Sequence, residues 1–203
     1  MSQLRMEKRG ISSIPDHALP DGYGLRTYRD GDEFAIARIY AASQLGKESA
    51  ESVRAEILGD PCFTADRMFI LEYGGEVVGT ASAWVTDEEP EVGYLHMIGL
   101  LDEHRGKGLG MALACAALRY TRDEGFDTQR LLTDDWREAA IRLYIDLGYD
   151  PLITDRTHPA RWTALAARLD RPQLLSRMRR MEPAEPEPFL SRLRRILGFA
   201  TLV

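Results

Sequence analysis

The segment HRGKGLGMALACAALRY, His104 to Tyr120, places three glycines, Gly106, Gly108 and Gly110, and two cations, Arg105 and Lys107, directly before a run of helix formers. A glycine inside a helix costs roughly 1 kcal/mol relative to alanine. A tight turn needs one or two glycines, so three at a helix start ask for another reason. Bare backbone N–H groups at the positive end of a helix dipole form a site for a large anion that must come very close. The segment therefore fixes a turn, an anion cradle and a helix in that order.

Two familiar phosphate cradles do not fit. A P-loop needs Ser or Thr after its lysine, and here Lys107 is followed by Gly108. A dinucleotide fingerprint needs a third glycine where Met111 stands, and an N-terminal strand–helix–strand context. The remaining pattern is Arg-x-x-Gly-x-Gly, met by Arg105, Gly108 and Gly110.

The context is a mixed chain. LRTYR reads as a short strand, and DGDEFAIARIYAAS as a helix that Asp30 or Asp32 caps, with Phe34, Ile36, Ile39 and Tyr40 at helical spacing. SAESVRAEIL is a second short helix. RMFILEYGGEVVGTASAWVTDEEPEVGYLHMIGLL then reads strand, Gly74-Gly75 turn, strand, acidic loop, strand, which is an antiparallel meander. After the glycine loop, a helix buries Gly110, Leu113, Ala114, Ala117 and Leu118. RLLT is a short strand, REAAIRLYIDLG a helix stopped by Gly148, and HPARWTALAARL a helix with Pro159 in its first turn. The expected division is a flexible arm over 1–20, one domain over 21–181, and over 182–203 a Pro/Glu linker with a basic amphipathic tail helix.

At 203 residues the chain is long enough for one cored domain. A net charge of −6 argues against general nucleic-acid binding and leans toward a cationic small partner. Cys62 and Cys115 have no metal-ligand spacing, so no metal and no disulfide framework are expected. The first residues lack the apolar core of a secretory signal, and no stretch has the ~18 apolar residues of a membrane span. The expectation is a cytoplasmic protein without a transmembrane segment.

IGLLDEHRGKGLG and REAAIRLYIDLGYDP, in this order and at this distance, resemble the GNAT superfamily of N-acetyltransferases. The resemblance covers about Gly24 to Pro151. It implies an α/β fold whose central mixed, mostly antiparallel sheet is splayed at its fourth and fifth strands and flanked by helices. It also implies acetyl-CoA as co-substrate and direct acetyl transfer to a primary amine of a small molecule or peptide. A non-catalytic acyl-CoA-binding module of the same fold, acting as a sensor or assembly part, is the alternative. By the resemblance, the pyrophosphate lies on Arg105, Gly106, Lys107, Gly108, Leu109 and Gly110. The pantetheine amides meet the backbone of Ile98 and Leu100, and Gly99 suits the bulge that splays the sheet; a packing gap is the other reading of Gly99, and solvated surface cations the other reading of Arg105 and Lys107.

Acetyl transfer needs a deprotonated amine, a polarised thioester and a protonated leaving thiolate. The resemblance gives the last role to Tyr144, which otherwise reads as a core tyrosine. His96 stands where some members carry a strand base; a water relay is the other option. Arg137 replaces the usual asparagine of the family, either as a substitute cofactor contact or as a surface residue paired with Asp134 or Asp135. Trp84, Trp136 and Trp162 read better as packing residues than as an acceptor pocket. The tail, with Arg192, Arg194 and Arg195 opposite Leu190, Leu193, Ile196 and Leu197, fits packing on its own domain or in a homodimer better than on a membrane surface.

Overall fold

The computed structural model describes residues 2–181. Eight strands, β1 (Leu4–Arg9), β2 (Tyr23–Thr27), β3 (Met68–Tyr73), β4 (Glu76–Val85), β5 (Gly93–Leu100), β6 (Thr128–Thr133), β7 (Asp150–Ile153) and β8 (Arg179–Arg180), form one sheet. Their order is β2-β3-β4-β5-β6-β1-β7-β8. The helices are α1 (Glu33–Ala42), α2 (Ala50–Val53, continued by a π turn over Arg54–Leu58), α3 (Leu109–Asp123), α4 (Glu138–Asp146), α5 (His158–Leu169) and α6 (Leu174–Arg177).

The meander forms as expected. Gly74 and Gly75 both have positive φ, 57° and 87°, which a tight hairpin turn requires. β3, β4 and β5 then pair antiparallel. α1 and α2 cover one face of this half through Ile36, Ile39, Tyr40 and Val53 on Met68, Ile70 and Trp84. α3 covers the other face. Its Ala112, Ala114, Ala116 and Ala117 are all buried and small, so the helix lies close to the strands. α4 and α5 bury Ile141, Tyr144, Trp162 and Leu165 in the same core.

β5 and β6 are parallel and paired at two positions only, Gly93 with Gln129 and Tyr94 with Arg130. Beyond Tyr94 they diverge, and the sheet opens between them. This is the expected splay: β1 precedes all the strands read from the sequence, so the expected fourth and fifth strands are β5 and β6.

Four expectations are corrected. Residues 1–20 are not a loose arm. β1 is an interior strand, pairing β6 from Leu4↔Thr133 to Arg9↔Thr128 and β7 on its other side. Leu4 and Met6 are fully buried, and Glu7 is buried with its carboxylate bound by Arg9 and Arg130. The charged residues of LRMEKR hide this strand from a hydrophobicity reading, because the buried Glu7 is paired with arginines rather than exposed to water. β1 is thus part of the domain's sheet, and the segment between β1 and β2 runs along α3, where Arg119 bonds the Pro15 carbonyl at 2.8 Å. The proposed linker and tail, 182–203, lie outside the described residues.

Asp32 occupies the position before α1, but its carboxylate makes no cap bond to the helix. It accepts from Arg26 at 2.6 and 2.8 Å and from the Arg29 N–H instead. Gly110, placed in the buried stripe of α3, is only partly buried and packs toward Leu143 of α4. The bulge in β5 falls at Met97 and Ile98, between the Ser82↔His96 and Thr80↔Gly99 pairs, not at Gly99. Met97 carries its strain, with φ 51°. Gly99 serves close packing, since a Cβ there would stand 2.8 Å from Ser43 Oγ and 3.0 Å from Ile39 Cγ2.

The closed end of the split admits no extra atoms. A Cβ on Gly93 would lie 2.4 Å from Thr121 Cγ2. Gly93→Ala should lower stability by about 1–3 kcal/mol, the usual penalty for overpacking. Adding Thr121→Ser removes the clashing methyl and keeps the hydroxyl. Denaturant titration should show the double variant more stable than Gly93→Ala alone, and strict additivity of the two losses would refute this account.

Candidate active site

Where β5 and β6 part, the structure holds a cleft of about 580 Å³. Its walls are the end of α1, the β5 residues Ile98–Leu100, the glycine loop with the start of α3, and the face of α4 carrying Ala140, Leu143 and Tyr144. The loop, β5 and Tyr144, read from separate parts of the sequence, meet here.

Gly106 and Gly108 adopt φ of 75° and 77°, the left-handed region open to glycine at no steric penalty. The resulting turn leaves the N–H groups of Gly106, Lys107, Gly108, Leu109 and Gly110 without an acceptor among the described residues. The first backbone donors with partners are those of Met111 and Ala112, both to the Gly108 carbonyl. Leu109, 1% exposed, plugs the helix start into the core. A Cβ on Gly110 would stand 3.0 Å from Leu143 Cδ1, and one on Gly108 2.8 Å from His17 Nε2. Gly106 faces open space. The cradle is thus five consecutive donors at the N-terminus of a fifteen-residue helix, which suits a diphosphate.

The cations of the loop have protein partners. Lys107 bonds the Glu103 carbonyl at 3.0 Å and Tyr23 Oη at 3.3 Å. Arg105 donates to the Ala42 carbonyl at 2.9 Å and pairs with Asp102 at 2.8 Å. Arg137 donates to the Ser43 carbonyl at 2.9 Å and to that of Gln44, pairs with Asp134 at 3.3 Å, and stacks on Trp136 at 4.1 Å. Three successive carbonyls at the negative end of α1 are therefore held by two guanidiniums from across the cleft. Arg137, read either as a substitute for the family asparagine or as a residue paired with Asp134 or Asp135, lines the cleft, pairs with Asp134 and bonds the loop after α1.

Ser43 is the residue the sequence did not reveal. Its hydroxyl accepts from the Leu100 N–H at 3.1 Å and donates to the Leu100 carbonyl at 3.2 Å. Leu100, expected to bond the pantetheine, is thus occupied on its cleft side. Ile98, two residues back on the same edge, has no side-chain partner among the described residues and lines the cleft. A serine at a helix C-terminus carries no pattern that marks this contact; only the approach of α1 to Gly99 creates it.

Tyr144 is 5% exposed, lines the cleft and packs edge-on against Tyr149 at 6.0 Å. Burial raises its hydroxyl above the usual tyrosine range, so it stays protonated and can donate. His96 lies on the other face of β5, beside Trp84 at 5.0 Å, and does not line the cleft. Burial lowers its pKa to about 4, leaving a neutral imidazole. Its Nδ1 is buried without a partner among the described residues. Trp162 is fully buried in the core and Trp84 nearly so, whereas Trp136 is 56% exposed at the cleft mouth. Asp135 is engaged by Arg161 at 3.0 Å. Among the described residues no group of three His, Cys, Asp or Glu side chains is placed to hold a metal ion, and no helix is long and apolar enough to cross a membrane.

Residues 34–149 match the model of the Acetyltransferase (GNAT) family. A mycothiol acetyltransferase of Thermobispora bispora is 32% identical over 154 residues, which cover 71% of this chain and 52% of that protein. The mycothiol acetyltransferase of Streptomyces coelicolor is 31% identical over 160 residues, 76% of this chain and 51% of that protein. The chain thus spans about half the length of the curated relatives it matches. A GCN5-related N-acetyltransferase from Sphaerobacter thermophilus shares the fold with a TM-score of 0.55 at 22% identity, over 74% of this chain and 49% of that one. The family match runs from α1 through the cleft-forming strands and the glycine loop to the end of α4, taking in every wall of the cleft described above. With that span and these relatives, the chain belongs to the GNAT acetyltransferase family.

Proposed function

We propose that the chain transfers an acetyl group from acetyl-CoA directly to a primary amine of a small molecule or peptide. The observation that carries this reading is the row of unpartnered N–H groups from Gly106 to Gly110 at the start of α3. Their positive dipole end suits the negative charge of the pyrophosphate of coenzyme A, and the same cleft is lined by Ile98 and Tyr144. A diaminobutyrate acetyltransferase of Paenibacillus lautus, solved with its substrate and coenzyme A, has the same fold with a TM-score of 0.51 at 16% identity, over 61% of this chain and 73% of that one.

In this reading the loop N–H groups hold the pyrophosphate and the Ile98 backbone orients the pantetheine arm. The amine nitrogen attacks the thioester carbonyl, the C–S bond breaks, the departing thiolate takes a proton from the Tyr144 hydroxyl, and the proton shed by the new amide nitrogen restores the tyrosine through water. The amine must arrive neutral. His96, with its low pKa, is a weak direct base, which favours loss of the ammonium proton through water. That weakness is also what supports the second reading, a coenzyme-binding module without turnover.

Three outcomes are predicted. Gly106→Asp adds a carboxylate to the cradle where a Cβ meets no described atom within 4 Å, at a positive φ that strains aspartate less than most residues. Calorimetric titration should show acetyl-CoA affinity falling by about tenfold or more, with a cooperative melt retained. Unchanged affinity would remove the pyrophosphate from the loop.

Tyr144→Phe deletes the donor and keeps the packing. Its kcat should fall by about 10²-fold with acetyl-CoA affinity nearly unchanged. Wild-type turnover would make Tyr144 a packing residue.

The third concerns acid. His96 has a pKa of about 4 when folded and 6.5 as its ordinary value, so the unfolded chain binds the extra proton between these values. Its contribution to stability is complete above pH 6.5, is lost as pH falls toward 4, and then levels off. His96→Gln should therefore lose less Tm than the wild type between pH 7 and pH 5. Parallel Tm curves for the two proteins would show that burial does not depress this imidazole.

A further inference from the structure

We propose that His17, delivered by the segment between β1 and β2, is a ligand of the coenzyme, its imidazole donating to a phosphate oxygen of coenzyme A bound at the glycine loop. The proposal rests on the coenzyme reading and adds a side-chain donor to a cradle otherwise made of backbone.

The segment runs the length of α3 to reach the loop. It leaves β1 at Gly10, whose N–H bonds the Asp127 carbonyl at 2.9 Å, just past the C-terminus of α3. Along the helix, Arg119 donates to the Pro15 carbonyl at 2.8 Å and to Asp16 at 3.5 Å. His17 follows and packs on the loop at the other end of the helix. A Cβ on Gly108 would lie 2.8 Å from His17 Nε2 and 3.2 Å from its Cε1, so the ring rests against this glycine. At the start of β2 the segment meets the loop again. Tyr23 Oη accepts from Lys107 Nζ at 3.3 Å and shares a hydrogen bond of 2.8 Å with His104 Nδ1. Two successive loop residues, Lys107 and Gly108, are thus held from this segment.

The polar side chains around the loop differ in what they already bind. Arg105 and Lys107 donate to the Ala42 and Glu103 carbonyls, and Arg137 to those of Ser43 and Gln44. Arg142, also in the cleft wall, donates to the Leu169 carbonyl. His17 is only half-buried, and its ring nitrogens have no hydrogen-bond partner among the described residues. It is the side chain at the loop that protein acceptors have not drawn away.

Gly108 is the middle one of the five residues whose N–H groups lack an acceptor, so an anion spanning those groups sits beside it. A ring resting on this residue is within reach of the anion's oxygens. Nε2 carries a proton in one neutral tautomer and in the imidazolium, and both forms donate. Backbone N–H groups at a helix start offer partial charges only, and a hydrogen bond to an ionised acceptor is about twice as strong as a neutral one. Glycine at 108 then has two causes, its φ of 77° and the room that the imidazole takes. Coenzyme A carries a diphosphate and a 3′-phosphate, and the imidazole chemistry is the same for each.

The test titrates coenzyme A and 3′-dephospho-coenzyme A calorimetrically into the wild type, His17→Phe, His17→Gln and Gly106→Asp, each checked by a thermal melt. His17→Phe keeps a ring on Gly108 and removes both nitrogens, whereas His17→Gln keeps an N–H donor. His17→Phe should weaken coenzyme A binding by about fivefold or more, the range of one hydrogen bond to a charged group, with a cooperative melt retained. His17→Gln should recover most of that loss. An equal loss with 3′-dephospho-coenzyme A assigns the contact to the diphosphate, and a loss confined to coenzyme A assigns it to the 3′-phosphate; either upholds His17 as a phosphate ligand. Wild-type affinity in His17→Phe overturns the proposal, and a weakened Gly106→Asp in the same series leaves the coenzyme reading standing without it. A loss that His17→Gln shares in full makes the imidazole a packing element of the loop and also overturns the proposal. A wild type that binds no coenzyme A refutes the coenzyme reading and this proposal together.

Discussion

The parallel contact between β5 and β6 is two residue pairs long, and the working parts of the fold depend on its shortness. Longer pairing would zip Ile98 and Leu100 to β6 and leave no cleft. No pairing would let the halves of the sheet part. The contact is held from both faces. On one, Gln129 donates to the Ala117 carbonyl and Thr121 hydroxyl and accepts from Tyr149, all buried. On the other, Arg130 joins Glu7 of β1 to Glu89 of the β4–β5 loop at 2.8 and 2.7 Å. A satisfied polar network is directional where apolar packing is not, so it can fix a register over so short a span.

The open end is governed by different forces. Ser43, Arg105 and Arg137 tie the C-terminus of α1 to β5, to the glycine loop and to the start of α4. The cleft mouth is therefore built from the same donors that line it, and the loop after α1 is linked by hydrogen bonds to the proposed phosphate cradle.

The cradle and the meander were legible in the sequence because glycine and strand alternation act locally. Gly106 and Gly108 need only their own backbone angles to declare themselves, and Gly74-Gly75 likewise. Tyr144 was legible through its resemblance to family members, and it does line the cleft. What escaped were features that exist only between distant segments. β1 carries too much charge to read as an interior strand until Arg130 arrives to neutralise Glu7. β7, with Pro151 in four residues, is too short to announce itself. Arg105 and Arg137 read as anion ligands because their carbonyl partners on α1 leave no trace in composition. The sequence also put Gly99 at the bulge, whereas packing against Ser43 claims it and Met97 takes the strain.

The interior place of β1 bears on how the chain acquires its structure during synthesis. Leu4 must meet Thr133, and Met6 must meet Pro151. The meander can assemble from neighbouring segments as they emerge. The first strand, made before all of them, has no edge to join until β6 and then β7 leave the ribosome. For most of translation it is an unpaired apolar and charged segment waiting on its final neighbours. Loop-closure entropy then makes its insertion a late and slow event. An N-terminal fusion would thus act on the last step of folding while lying far from the cleft.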